Sequence, residues 1–429
     1  MNDVQPHGVR GRGRVWHRAV PGGVGAVVLA AFATAVAGCA AASAPRRSAD
    51  AGSTRAAAQT ADVSSVAAHS NAPPLAAGQV GSRQDVPWAK VGQGWLLAQW
   101  SQGLPANPRR RSHARPVPST LFLVDPAGGR YRIATLQPRG SFPSASLVAW
   151  SGDGQRALLS DDSNATVLDL RTGASTEFSL AGDVTPIGFA GPGGLGVIAN
   201  VGTANPHLER FSLTGGKELT YPTSFPGGGT YHWSDIPGAL YSADGSELAV
   251  STSTGMEMVR NDGQAVRFMR VSPSVKGCSP VRWWKAGVLL ANCARNGSAA
   301  GQLWLVPVSG AQPATPLTAY PAAQGDYGDL DAWQLPGGVY LQDAAGCGAY
   351  VAKLRSDRRT APVTVPGMVG SIAVNGAYGG RLSVTSTKLD CANGATLAWF
   401  DPATNSVTPL LGGSANGGST EMALMFGQP

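Results

Sequence analysis

Cysteine is the residue type in this chain whose chemistry depends most on spacing, and five cysteines occur. A Cys-x-x-Cys pair would indicate a metal site or a redox-active disulfide, but the sequence contains none. No histidine lies near Cys278, Cys293, Cys347 or Cys391. The pattern therefore disfavours a metal centre. It favours two structural disulfides among these four residues, with three possible pairings.

The fifth cysteine, Cys39, ends a segment with the features of an export signal. Four arginines lie within residues 1–19, and residues 24–37 form an apolar run that is short for a membrane span. The run ends in Val36-Ala37-Gly38-Cys39, which resembles the lipobox of bacterial lipoproteins. The resemblance implies that Cys39 receives a diacylglycerol, with palmitate as an acyl chain, and becomes the new N-terminus. An ordinary secretory signal with a chance cysteine is the alternative.

The same resemblance divides the chain into three parts. Residues 1–38 are expected to be a lipoprotein signal peptide. Residues 39–81 are rich in Ala and Ser, show no strand or helix period, and are expected to be a disordered, flexible linker from the lipid anchor. Residues 82–429 are expected to form the folded domain. The protein is then held on the extracytoplasmic face of the cell membrane, where disulfides are stable.

The charge of the chain argues against nucleic acid as a partner. The formal net charge is +7, but part of it lies in the predicted signal peptide, where four arginines face only Asp3. The remaining excess of basic residues is too small for a nucleic-acid footprint.

Residues for catalysis are sparse. His69, His113, His207 and His232 are not at metal-ligand spacing, and no Gly-x-Ser-x-Gly stands in a strand-turn-helix context. The Gly-rich turn Gly227-Gly-Gly-Thr230 does not precede a helix, so it does not indicate phosphate binding. We therefore expect no enzyme activity, no metal and no cofactor.

One loop concentrates basic residues between prolines. It runs from Asn107 to Pro118 and carries four arginines and a histidine. It is a candidate binding loop for anionic lipid headgroups, a cell-wall polymer or an acidic partner, with a solvated insertion as the alternative. The candidate residues are Arg109, Arg110, Arg111, His113 and Arg115.

A repeat of about 46 residues organises the rest of the chain, and periods of this size indicate arrays or propellers. Each copy has short apolar strands separated by tight Gly turns, and the third strand with its turn recurs most clearly. The chain end, residues 417–426, could supply a last strand that closes a ring. Seven copies predict an all-β fold, a seven-bladed β-propeller of four-stranded antiparallel blades. Two β-sandwiches are the main rival. The third-strand turns end at residues 129, 173, 215, 263, 310, 357 and 404.

Two copies share a more specific motif. In residues 150–160 and 241–251, an aromatic residue is followed by Ser-x-Asp-Gly and an apolar strand. This core resembles the repeat of TolB-type propellers and, more loosely, the propellers of WD-repeat proteins. The other copies match in period and polarity alone. Tryptophans recur in the predicted strands, where packing between blades explains them better than a sugar-stacking platform.

The repeat register favours one disulfide pairing. Cys347 and Cys391 follow the second strands of neighbouring units, which favours a disulfide between two blades. Cys278 is expected just before the first strand of the fifth unit and Cys293 at the end of its second strand. The start of a first strand and the end of a second strand lie on the same face of a propeller, which favours a Cys278–Cys293 disulfide.

Together these observations predict a lipid-anchored propeller of the cell envelope that acts as a protein- or polymer-binding scaffold. Its partners are the membrane, through the anchor, and a protein or cell-wall polymer. The alternative is an enzyme of the lyase or lactonase type with its site at the channel mouth. That site would need acidic or histidine side chains to converge there from separate blades.

Overall fold

A computed structural model gives the fold. It describes residues 73–102, 117–138, 144–161, 164–180, 182–202, 205–232, 239–295, 300–321, 327–345, 348–387 and 395–427. These residues form 29 β-strands, numbered β1 to β29 in chain order, with one short helix, α1 (Gly413–Asn416), and two 3₁₀ turns, Arg83–Asp85 and Trp88–Lys90. Within these ranges no helix is long and apolar enough to cross a membrane.

Four sheets are simple antiparallel arrangements of four consecutive strands. Sheet 2 contains β5 (Ser146–Trp150), β6 (Arg156–Ser160), β7 (Asn164–Asp169) and β8 (Ser175–Ser179). Sheet 3 contains β9 (Val184–Phe189), β10 (Gly196–Val201), β11 (His207–Ser212) and β12 (Lys217–Thr220). Sheet 5 contains β21 (Asp329–Leu335), β22 (Gly338–Ala345), β23 (Gly348–Leu354) and β24 (Thr360–Pro362). Sheet 6 contains β25 (Ser371–Tyr378), β26 (Arg381–Thr387), β27 (Thr396–Asp401) and β28 (Ser406–Leu411).

Sheet 4 has eight strands and repeats the same order twice. Its first half contains β13 (Ala239–Tyr241), β14 (Glu247–Thr252), β15 (Gly255–Arg260) and β16 (Ala265–Met269). Its second half contains β17 (Val275–Lys285), β18 (Val288–Arg295), β19 (Gly301–Pro307) and β20 (Thr315–Pro316). The halves meet at one residue pair, Thr252 opposite Cys278.

Sheet 1 joins the two ends of the described chain. It contains β1 (Val80–Ser82), β2 (Leu96–Ser101), β3 (Ser119–Val124), β4 (Arg130–Leu136) and β29 (Ser419–Met425), in the order β1-β4-β3-β2-β29. The C-terminal strand β29 pairs antiparallel with β2, as expected for a strand that closes a ring. Before β2 the chain forms a 3₁₀ turn, Trp88–Lys90, and β29 supplies the first strand of this sheet.

Apolar side chains between neighbouring sheets form the core. One cluster combines Leu97 of sheet 1 with Ala157 of sheet 2, and another combines Leu397 of sheet 6 with Leu96 of sheet 1. The Phe426 ring packs edge-on against Trp150, 5.2 Å between centroids, and so joins sheets 1 and 2. Consecutive four-stranded units packed face to face, with the chain ends paired in one sheet, are the architecture of a β-propeller.

Tryptophans contribute to this packing, as the sequence predicts. Trp95, Trp304, Trp333 and Trp399 are buried. Trp100 is half-buried, and its indole Nε1–H donates to the carbonyl of Gly417 at 2.9 Å.

The two Ser-x-Asp-Gly turns lie between the first and second strands of their units. In the first turn, the Ser151 hydroxyl donates to Asp153 Oδ1 at 2.5 Å and accepts from the Arg156 backbone N–H at 2.9 Å. The second turn repeats this geometry with Ser242 and Asp244, at 2.6 Å. Gly154 and Gly245 have φ of 73° and 72°, a left-handed conformation that favours glycine. The motif therefore acts as a self-bonded turn.

Cys278 and Cys293 form a disulfide, in agreement with the favoured pairing. Their positions differ from the expected ones. Cys278 lies inside β17 rather than before it, directly opposite Cys293 of β18. The strand begins earlier because bulges let β17 continue past three register shifts. Cys347 and Cys391 lie outside the described residues, and their pairing stays a prediction.

Candidate binding site at the channel mouth

The first strand of each propeller unit lines the central channel. Here these strands are β5, β9, β13, β17, β21, β25 and, for sheet 1, β29. Consecutive strands of a unit are antiparallel. The start of each first strand therefore lies at the same end of its sheet as the loop between the second and third strands. We call this end the channel mouth. The turns that join first strands to second strands lie at the opposite end.

Exposed polar side chains stand near the start of three of these strands. They are Ser146 of β5, Thr185 of β9 and Glu421 of β29. The two hydroxyls can donate and accept hydrogen bonds, and the carboxylate can accept them. This part of the mouth therefore offers hydrogen-bonding groups to a ligand.

Glu421 has the most perturbed environment of the three. The residue is exposed, yet the surrounding protein partly shields its carboxyl group from water. Burial raises the pKa of Glu421, and hydrogen bonds from Ser101 and Gln99 oppose that rise. A carboxyl group with a raised pKa in a cleft is a candidate for ligand binding or proton transfer.

Gln99 connects Glu421 to the neighbouring sheet. Its Nε2 donates to Ser119 Oγ at 2.9 Å and to the Ala145 carbonyl at 3.0 Å. Its Oε1 accepts from the Leu147 backbone N–H at 2.7 Å. The side chain is 2% exposed, so these bonds are shielded from water. Gln99 thus fixes the seam between sheets 1 and 2 beside the channel.

Similar polar links cross other seams. Gln342 Oε1 accepts from the Val374 N–H at 2.8 Å, between sheets 5 and 6. Asn292 Nδ2 donates to the Asp329 carbonyl at 2.6 Å, between sheets 4 and 5. Each donor or acceptor lies on a second strand and reaches the first strand of the next unit. These links hold the first strands in place without blocking the channel mouth.

A salt bridge joins two innermost strands on the other side of the channel. Arg282 of β17 contacts Asp331 of β21, with Nε to Oδ1 at 2.7 Å and Nη2 to Oδ2 at 2.5 Å. The guanidinium lies over the Trp333 ring, 4.5 Å from its centroid. Burial raises the pKa of Asp331 and the facing Arg282 opposes that rise. The bidentate geometry favours the ionised pair, which leaves this part of the wall neutral.

Two further carboxylates lie close together but out of solvent. Asp329 of β21 and Asp343 of β22 stand directly opposite each other in the strand pairing and are 4% and 1% exposed. The innermost strands therefore carry Asp329, Asp331 and Glu421. Among these three, Glu421 is the exposed one and Asp331 is neutralised by an arginine.

His207, the first residue of β11, faces a carboxylate of its own sheet. His207 Nε2 lies 3.2 Å from Glu209 Oε1, and Lys217 contacts the same carboxylate. These bonds to Lys217 and His207 outweigh burial and lower the pKa of Glu209, which burial alone would raise. In the part of the chain that the structure describes, no three His, Cys, Asp or Glu side chains are arranged to hold a metal ion.

Several residues singled out from the sequence lie outside the described residues. They are Cys39, the histidines His69 and His113, and the arginines of the basic loop, Arg109, Arg110, Arg111 and Arg115. The strands that flank residues 103–116 in the sequence are β2, which ends at the mouth end of sheet 1, and β3, which begins there.

Sequence reasoning missed Glu421, Gln99 and the Arg282–Asp331 pair. Polar residues inside apolar strands were the available signal, since a buried amide or charge requires a partner. The partners themselves are remote in sequence, and only folding brings them together.

No model of a known protein family matches the sequence, and no curated protein matches it. Solved structures are similar to it at low identity. A TolB from Acinetobacter baumannii is 14% identical over 78% of this chain and 66% of its own, with a TM-score of 0.39. The Cps50 (Swd1) β-propeller domain of Myceliophteria thermophila is 13% identical over 68% and 92%, with a TM-score of 0.44.

A prolyl endopeptidase is 13% identical over 74% of this chain, with a TM-score of 0.46. This chain spans 50% of the length of that enzyme. Identities this low concern the fold alone, and the propeller assignment rests on the sheets described above.

Proposed function

We propose that this protein is a lipid-anchored β-propeller of the cell envelope that binds a protein or a cell-wall polymer at its channel mouth. Cys39 carries the lipid, residues 1–38 are removed, and the linker predicted over residues 39–81 connects the anchor to the propeller. Its last two residues belong instead to β1 (Val80–Ser82), which pairs with β4. The lipobox-like sequence Val36-Ala37-Gly38-Cys39 supports the anchor.

We further propose that the ring has seven blades. Sheets 1, 2, 3, 5 and 6 each supply one blade. Sheet 4 supplies two, because its halves repeat the four-strand order and join at the single pair Thr252–Cys278. Seven blades also match the seven repeats in the sequence. The pairing of β29 with β2 supports ring closure, since it ties the last strand to the first blade.

The observation that carries the binding function is the character of the exposed mouth. Ser146, Thr185 and Glu421 come from three neighbouring first strands and offer hydroxyl and carboxylate groups. The buried Gln99 side chain fixes β5, the strand of Ser146, against sheet 1, which carries Glu421. A rigid frame that presents polar groups lowers the entropy lost on binding and suits a recognition surface.

The binding site is tested by purification of the protein with its partners from detergent-solubilised membranes. The test variant is Thr185→Arg at the mouth. The matched control is Leu195→Arg, which places the same side chain on an exposed residue at the opposite end of sheet 3. We expect the mouth variant to lose a partner that the control keeps. Equal recovery from both variants would contradict binding at the mouth.

The anchor is tested separately by Cys39→Ser. We expect the variant to leave the membrane fraction while it keeps the partner in solution. Unchanged membrane retention would contradict the lipid anchor without bearing on the binding site.

A second function is favoured by one observation, the raised pKa of Glu421. A carboxyl group that keeps its proton at higher pH could act as a general acid in a lyase or lactonase at the mouth. Turnover of lactones or polysaccharides by the pure protein tests this function, with Glu421→Gln as the variant that should abolish it. Turnover that Glu421→Gln does not change would exclude Glu421 as the acid.

A further inference from the structure

A buried carboxyl group, that of Glu257, lies away from the channel wall. Glu257, the third residue of β15, has no exposed surface. Its Oε1 accepts a hydrogen bond from the Gly227 backbone N–H at 3.0 Å. Its Oε2 is buried and has no hydrogen-bond partner within the described ranges. A charged carboxylate at this position would lose its hydrating water and gain one hydrogen bond in return. This exchange is unfavourable.

Gly227 belongs to a segment that covers Glu257, residues 222–232, which we call the strap. Phe225 and Tyr231 of the strap bury their rings between sheet 3 and the first half of sheet 4. The Tyr231 hydroxyl donates to Asn200 Oδ1 of β10. The strap therefore closes the seam between these two sheets.

The strap packs tightly against the sheet at Gly227 and Gly229. A Cβ on Gly227 would lie 2.4 Å from the Phe268 ring and 2.6 Å from Glu257 Oε1. A Cβ on Gly229 would lie 2.8 Å from Thr252 Oγ1, a buried hydroxyl that also has no partner in the described part of the chain. Water can reach Glu257 from this side only if the strap moves.

The strands beside Glu257 supply no cation to it. Its cross-strand neighbours are Val250 of β14 and Phe268 of β16. Arg267 of β16 forms a salt bridge with Glu247 instead, at 2.7 and 2.9 Å.

The strap itself contributes two titratable groups, Tyr231 and His232. The Tyr231 hydroxyl is bonded to Asn200, and burial raises its pKa. The backbone N–H of His232 donates to the Ser251 carbonyl at 3.1 Å. Burial likewise raises the pKa of Glu257, and the Gly227 N–H opposes that rise.

We propose that Glu257 and the strap form a pH-responsive closure of the seam between sheet 3 and sheet 4. The protonated carboxyl keeps the strap closed. Ionisation favours an open strap, in which the carboxylate meets water. The closure does not depend on the proposed ligand of the channel mouth.

The direction of the effect follows from proton linkage. The closed state holds the Glu257 proton more tightly than the open state, whose carboxyl has the ordinary pKa of 4.5. Opening is therefore independent of pH below 4.5. Above it, opening rises by up to about tenfold per pH unit until the pKa of the closed state is passed.

Hydrogen exchange of the strap amides tests the proposal on the intact protein, with protection expressed relative to the intrinsic rate at each pH. Between pH 5 and pH 7 we expect protection of the strap to fall, with about tenfold per pH unit as the upper limit. Glu257→Gln keeps an acceptor for the Gly227 N–H without a charge and should abolish this fall. The matched control is Glu209→Gln, which changes the third residue of β11, the position equivalent to Glu257 in β15. It should leave the fall in strap protection unchanged.

Constant protection of the wild-type strap across this range would overturn the proposal, and so would an equal fall in Glu257→Gln. The wild-type titration decides the question even if a variant fails to fold. Gly227→Ala gives an independent readout, because its Cβ cannot fit under the closed strap. It should expose the strap amides at both pH values, and full protection in that variant would contradict the geometry.

Discussion

The Oε1 of Gln99 and the backbone N–H of Leu147 form a 2.7 Å hydrogen bond across the seam between sheets 1 and 2. Gln99 is buried, so loss of its amide would leave the Leu147 N–H without an acceptor. The seam of a propeller thus depends on a few buried polar contacts as well as on apolar packing.

We expect Gln99→Leu to lower the free energy of unfolding by about 1–3 kcal/mol, the cost of an unsatisfied buried group. Urea unfolding followed by circular dichroism measures this change. The matched control is Gln93→Leu, in the exposed turn before β2, which should change stability by less than about 0.5 kcal/mol. Equal effects of the two substitutions would show that the buried amide contributes nothing specific.

The Arg282–Asp331 pair gives a second prediction. Asp331→Asn removes the carboxylate charge that faces Arg282, and the two side chains are only 11% and 18% exposed. We expect a loss of about 3 kcal/mol, at the low end for a buried pair because some water still reaches it. The double variant Arg282→Met with Asp331→Leu should recover much of that loss. A double variant less stable than Asp331→Asn would contradict this interpretation.

Ring closure by β29 gives a third prediction. Thr420, Ala423 and Met425 of this strand are buried, and its backbone pairs with β2 along its length. A chain that ends before Ser419 leaves an open edge and an exposed apolar face. We expect it to aggregate or to unfold without a cooperative transition in calorimetry. Removal of Gln428 and Pro429 alone is the control and should preserve the transition. A cooperative, monomeric truncated protein would show that the ring does not need β29.

The turn at Asp244 predicts how acid affects stability. A hydrogen bond from the Ser242 hydroxyl, with those from Ser246, lowers the pKa of Asp244 from 3.8 to about 2. The folded state therefore binds this proton more weakly than the unfolded state. The stabilisation is present above pH 3.8 and is lost as pH falls towards 2. Asp244→Asn should have a lower urea midpoint than the wild type at pH 5. The difference between the two midpoints should be smaller at pH 2. A difference that does not change with pH would contradict the assignment.

The repeat and the tight turns could be predicted from the sequence because their signals are local. The Asp-Gly pairs at Gly154 and Gly245 supply the left-handed backbone that a short turn requires, and the structure has turns there. The late strand at residues 417–426 could be proposed from its apolar end. Its partner β2 could not be identified, since pairing across more than 300 residues has no local signal.

The site was harder to predict because its contacts are remote in sequence. Arg282 and Asp331 are 49 residues apart, and neither position differs in type from an ordinary strand-edge charge. Glu421 has a raised pKa because of the surrounding protein rather than because of its own segment. The sequence predicted Cys278 just before β17, but bulges extend this strand to include it. Bulges depend on the partner strand, so they have no signal in the local sequence.

Site-specific photocrosslinking in intact cells tests the binding function most directly. A photoreactive residue at Thr185 faces the channel mouth, and one at Leu195 lies at the opposite end of the same sheet. The account predicts a discrete crosslinked species from position 185 that is absent from position 195 and that disappears when the mouth also carries Ser146→Arg. Crosslinks from position 195 alone, or the same species from both positions, would contradict binding at the mouth.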